Sequence, residues 1–177
     1  YSALVAAGVV SFADAIRLVS ERGRFMQTAV PLGKGGMAAV LGLEDAQVRE
    51  ICVAISSASG VVQAVNYNAP GQVVIAGENS ALQDAIDACK VAGAKRVVAL
   101  SASAPFHSEL MRPAADKMAA VLAGVNFSSP KIPVIQNVHA DYEADADAIR
   151  ENLVKQMYSA VLWTGTVERM VQDGVTR

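Results

Sequence analysis

Cysteine and histidine are scarce: Cys52 and Cys89, His107 and His139 are the only ones in 177 residues. Each cysteine falls inside an amphipathic helical pattern with no second cysteine or histidine at ligand spacing. That argues against a disulfide framework and a metal site, and reads both as small buried thiols of a reducing compartment. Aromatic residues make up 5%, too few for stacking platforms, and the net charge of -2 supplies no bulk attraction to a polyanion. Nucleic-acid binding is set aside on both grounds. Apolar runs such as "GVVQAVNY" fall far short of the roughly 20 residues of a membrane span, and "YSALVAAGVVSF" lacks the basic flank of a signal peptide. The expected setting is the cytoplasm, with no membrane partner. A starting methionine is also missing, and the opening run has the character of a helix interior. The expectation is a piece of a longer protein.

What is present is a hydrophobic content of 53%, enough for one large domain or two small ones. From Ser11, "SFADAIRLVSERGRFMQTAV" places Phe12, Ala15, Ile16, Val19, Gly23 and Met26 at helical spacing, with Ser11 as cap and Asp14 as the capping acid. Arg17, Glu21 and Arg24 then face solvent, while Arg22 falls at the edge of the apolar stripe and points toward the body of the protein. After "PLGKGG" the rhythm becomes strand, helix, strand, strand, helix, strand: "MAAVLGL", "EDAQVREICVAISSA", "VVQAVNYN", "QVVIAG", "NSALQDAIDACKVAG" and "AKRVVAL". Across Met37 to Leu100 this is a ferredoxin-like order. Beyond it come a helix in "LMRPAADKMAAVLAGV", a strand in "KIPVIQNV" and further helix through "DADAIRENLVKQMY" and "TGTVERMVQDG", a return to α/β layering. The expected organisation is a large subdomain from 1–34 and 102–177 interrupted by a small subdomain at 35–101.

His107, in "SASAPFHSELMRP", lies between a proline-phenylalanine step and a helix start. From the residues alone it is a general base, a metal ligand or a packed ring. His139, in "NVHADYEAD", reads as a surface loop residue.

Five segments in register resemble the malonyl-CoA:acyl carrier protein transacylases and the related acyltransferase domains of fatty-acid and polyketide synthases. They are "YSALVAAGVVSFADAIRLVSERGRFMQ", "GGMAAVLGL", "VNYNAPGQVVIAG", "APFHSELM" and "IPVIQNV". The resemblance implies an α/β-hydrolase-like large subdomain with an inserted ferredoxin-like (βαββαβ) small subdomain. It also implies transfer of malonyl from malonyl-CoA to the phosphopantetheine thiol of acyl carrier protein through a serine ester, in fatty-acid biosynthesis, without metal or redox cofactor. The nucleophilic serine of that family's G-H-S-x-G-E elbow would lie just upstream of Tyr1, and Ser2 lacks the flanking glycines to replace it. By the same resemblance His107 is the base, Arg22 grips the malonyl carboxylate, Phe106 limits the acyl side chain and Asn66 faces the cleft. Lys90, Lys95, Arg96, Arg112 and Lys117 are candidates for meeting an acidic carrier protein or for an ordinary solvated face. Two other readings stand beside this one: a serine hydrolase on a related core, and an inactive fragment or binding module.

Overall fold

The computed structural model describes residues 1–176. A short helix α1 (Ser2–Ala6) leads into α2 (Phe12–Gln27), which the Ser11 hydroxyl starts by accepting the Asp14 N–H at 3.0 Å. Ion pairs between Arg17 and Asp14 and between Arg24 and Glu21 lie on the outer face, as the helical phase predicts. The buried face only partly matches the one read from sequence, through Ala15 and Met26. Ala15, Leu18, Phe25 and Met26 are covered, whereas Phe12, Ile16 and Val19 are 70%, 58% and 48% exposed. The helix has apolar residues on two sides, and periodicity alone does not say which side finds a partner.

Strand β1 (Gly35–Leu41) is followed by α3 (Asp45–Ser59), whose start is held by a reciprocal box between Glu44 and Gln47. Next come β2 (Val62–Ala69), β3 (Gln72–Glu78), α4 (Asn79–Val91) and β4 (Arg96–Leu100). The four strands form one sheet in the order β2-β3-β1-β4, every neighbouring pair antiparallel. Alternate residues of β1 and β3 serve opposite faces, as the two-residue period requires. Ala38, Val40, Val73 and Ile75 join Val48 and Cys52 of α3 and Ala85 and Cys89 of α4 in one core. Met37, Val65, Val74 and Ala76 form a second cluster on the other face, with Ala102 and Phe106 packed against it.

A 3-10 turn (Glu109–Met111) then opens α5 (Arg112–Ala123). The strand expected in "KIPVIQNV" shrinks to Ile135–Gln136 (β5), paired only with Asp141–Tyr142 (β6). Two residues on each side make a single short ladder, and the apolar run that reads as strand bends before it and turns directly after it. Helices α6 (Ala146–Lys155) and α7 (Trp163–Gln172) complete the chain. A third core gathers Leu4, Val9, Leu18 and Met26 from the start of the chain with Met111, Met118, Leu122, Ile149 and Met157 from its end. The segments on either side of the sheet region therefore pack together. The chain is an α/β fold; Arg177 lies outside the described residues.

Candidate functional site

His107 sits in the loop between β4 and the 3-10 turn with φ 63, a left-handed backbone that non-glycine residues adopt rarely. The loop is braced on several sides. The fully buried Ser108 hydroxyl donates to the Pro105 carbonyl at 2.7 Å, Phe106 N–H to Ala104 O at 3.0 Å and Met111 N–H to Ser108 O at 2.9 Å. β1 runs so close that a Cβ on Gly35 would stand 2.7 Å from Pro105. This contact explains a glycine at the first position of the strand.

The imidazole is oriented by a backbone carbonyl. Its Nδ1 lies 2.8 Å from Gln156 O, just past the end of α6. A carbonyl only accepts, so Nδ1 carries the proton and the neutral ring keeps Nε2 free as a base. Burial pushes the His107 pKa below the ordinary histidine value, the backbones of Gln156 and Ser159 oppose this, and the Arg22 charge adds to the lowering. The neutral, proton-accepting form is thus the resting one near pH 7.

Arg22 reaches this region from α2, where its charge acts on His107. It makes no salt bridge among the described residues, and its Nε is buried without a hydrogen-bond partner. Desolvation weakens its hold on its proton, with the Tyr1 phenol opposing. The phenol itself is buried with an unpaired hydroxyl and is pushed up to about 12, chiefly by burial. A guanidinium partly withdrawn from water, with no carboxylate beside it among the described residues, is costly, and an anionic ligand would offset that cost.

Phe106 packs against both the helical core and the sheet cluster that contains Met37 and Val65, so it joins the two regions whatever else it does. Asn66 reaches its place through an irregularity that alternation does not foresee. The register of β2 against β3 slips between Ala64 and Asn66, pairing Ala64 with Ile75 and Asn66 with Val74. Val74 belongs to the cluster that holds Phe106, and Ile75 to the opposite core. The bulge therefore turns Asn66 toward the side of the His107 loop, where strict alternation would put it under the helices. Its link to the rest of the molecule is a backbone bridge to Val161. The structure brings Arg22, Phe106 and His107 into one region and leaves Asn66 on the adjoining sheet face.

Sequence reasoning missed Gln156 and Gln63. Gln156 acts through its carbonyl, which no side-chain pattern betrays. Gln63 accepts the Glu109 N–H at 2.7 Å, and the available signal was a polar residue inside an apolar strand. His139 is exposed, as read, and its Nε2 accepts from Asn152 Nδ2 at 3.2 Å. Of the basic candidates, Lys90 pairs with Asp87 and Arg112 with Glu109, which leaves a thinner positive surface than the count suggested. Among the described residues no group of three His, Cys, Asp or Glu side chains is placed to hold a metal, and no helix is long and apolar enough to cross a membrane.

Residues 1–176 match the acyl transferase domain family, and the chain belongs to that family. Among its relatives, the malonyl CoA-acyl carrier protein transacylase of Salmonella typhimurium is 55% identical over 99% of this chain and 56% of its own length. An acyl-carrier-protein S-malonyltransferase from Burkholderia pseudomallei superposes with a TM-score of 0.94 at 49% identity, covering 98% of this chain and 56% of that one. A malonyl-transacylase solved with a type II PKS acyl-carrier protein gives 0.93 at 50% identity, over 97% and 55%. The chain spans about half the length of the curated relatives it matches.

Proposed function

We propose that this chain is the part of a malonyl-CoA:acyl carrier protein transacylase that supplies the base and the carboxylate grip. The observation that carries the reading is a neutral His107, with Nε2 left free by the Gln156 carbonyl, in the field of a half-buried Arg22 that has a buried, unpartnered Nε and no carboxylate partner among the described residues. The serine that becomes acylated lies outside residues 1–177. Its hydroxyl adds to the thioester carbonyl of malonyl-CoA while its proton passes to His107 Nε2. Collapse of the adduct breaks the C–S bond, and the departing coenzyme A thiolate takes that proton. In the return half, the phosphopantetheine thiol of acyl carrier protein gives its proton to Nε2 and attacks the serine ester, and the serine oxygen leaves with the proton. Arg22 meets the free malonyl carboxylate through two parallel N–H···O bonds, a geometry an ammonium does not offer. Phe106 narrows the space beside the acyl α-carbon and Asn66 borders the cleft.

The same reading assigns 35–101 as a ferredoxin-like insertion in an α/β-hydrolase-like subdomain built from 1–34 and 102–177. It is supported by the β2-β3-β1-β4 order and by a helical core that gathers both flanks. A cytoplasmic setting fits two free buried thiols. No cofactor enters the scheme.

The test is a chimaera in which this chain replaces the matching segment of the Salmonella typhimurium relative. It should carry malonyl from malonyl-CoA to acyl carrier protein, and Arg22→Ala should cut malonyl transfer about 10²-fold while sparing acetyl transfer. Equal losses with both donors, or hydrolysis in place of transfer, would overturn the assignment.

A further inference from the structure

His107 is held from two directions, and one strand reaches both. Its ring is anchored on Gln156 O, and the chain that follows, at Val161, is stitched to β2 by Val161 N–H to Val65 O at 2.8 Å and Tyr67 N–H to Val161 O at 3.0 Å. Its backbone is anchored two residues on, where Glu109 N–H donates to Gln63 Oε1 of the same strand. Among the described residues this is the one side-chain hydrogen bond that joins the four-stranded sheet to the loop from Ala102 to Met111. Gln63 is paired with Ala76 on the sheet face that packs Phe106, so its side chain stands on the correct side to do this. A left-handed non-glycine residue persists only where its surroundings over-determine it, and at His107 the Gln63 bond is one of those determinants.

We infer that Gln63 is a positioning residue: through the Glu109 amide it completes a clamp in which β2 fixes both the loop that carries His107 and the carbonyl that orients its ring. The inference rests on the role proposed for His107 only for its functional consequence, since the positioning itself is a property of this chain. It also gives the sheet a part in the chemistry without contact with the reacting atoms.

The imidazole nitrogens of the 177-residue chain, followed by NMR through a pH titration, report the positioning directly. With Gln63 present, His107 should titrate below ordinary histidine and show the Nδ1–H tautomer. Gln63→Leu removes the acceptor, and the ring should drift to the Nε2–H tautomer that predominates in free histidine, with a midpoint moved upward. Gln63→Glu keeps an acceptor oxygen and should restore both signatures. Glu109→Pro removes the donor instead, at the first residue of a 3-10 turn preceded by an extended Ser108 (φ -101, ψ 167), a position that accepts proline. It should reproduce the Gln63→Leu spectrum and decides the matter if Gln63→Leu does not fold. A ring unmoved by either change overturns the inference. In the chimaera, Gln63→Leu should lower kcat by up to about 10²-fold with KM little altered. A ring that moves while transfer is untouched leaves the clamp standing and counts against His107 as the base.

Discussion

The two regions of this chain solve the burial problem differently. The sheet region from β1 to β4 closes on itself: α3 and α4 cover one face, and Ala38, Val73, Ile75, Ala85 and Cys89 are fully buried between them. The helical region from both ends of the chain has a comparable core but leaves apolar faces open. Phe12, Ile16 and Val19 line a cavity of about 620 Å³ with Tyr1 and Val5, and Trp163, Met170 and Ile132 line another of about 520 Å³ with Ala3 and Ala6. His107 lies where the regions meet, and each contributes to holding it.

The comparison can be broken most directly at matched isoleucines. Ile75→Ala in the closed sheet should cost about 4 kcal/mol in urea unfolding, and Ile16→Ala on the open helix face less than about 0.5 kcal/mol. Equal costs would show that the open face is covered in solution. Two glycines sharpen the same contrast. An alanine Cβ at Gly77 would sit 2.1 Å from Val61 O, so Gly77→Ala should cost about 3 kcal/mol through forced backbone movement. Gly23, inside α2 with nothing within 4 Å, should accept alanine with a gain of about 0.5–1 kcal/mol. A loss at Gly23 would mean that the helix face is occupied.

Acid should reach the junction before the sheet. The folded pKa of His107 lies below its unfolded value, so the unfolded chain takes up this proton first and stability falls as the pH drops below about 6.5, reaching its full loss beneath the folded pKa. His107→Gln should flatten that slope in melts between pH 7 and 5; an unchanged slope would place the acid sensitivity elsewhere. The smallest effect concerns Cys52, whose thiol burial pushes up to about 12. It should react with a thiol reagent at neutral pH only as the sheet opens, at a rate that follows urea concentration, and rapid labelling without denaturant would contradict a closed core.

The strand-like runs such as "VVQAVNYN" and the periods of α3 and α4 were enough to place the sheet and its covering helices, because there one face of each element pairs with another in the same stretch. The same reasoning was only half right at α2, where two apolar sides competed and Ala15 and Met26 were buried but Phe12, Ile16 and Val19 were not, and it failed at "KIPVIQNV", where an apolar run met no long partner strand. Asn66 was legible as a residue and not as a direction, since one bulged position inverts the side it faces.

The sequence by itself determined the element order across the sheet region, the cap at Ser11, the solvent side of α2 with Arg17, Glu21 and Arg24 and, through family motifs, the candidates His107, Arg22, Phe106 and Asn66. Those are consequences of local spacing and residue type. Only the tertiary structure decided that the Gln156 carbonyl sets the tautomer of His107, that the Arg22 Nε is buried with no carboxylate beside it among the described residues, and that Gln63 braces Glu109 across 46 positions. Such facts depend on which backbone groups remain unpaired once the elements pack, and no periodicity in the chain records that.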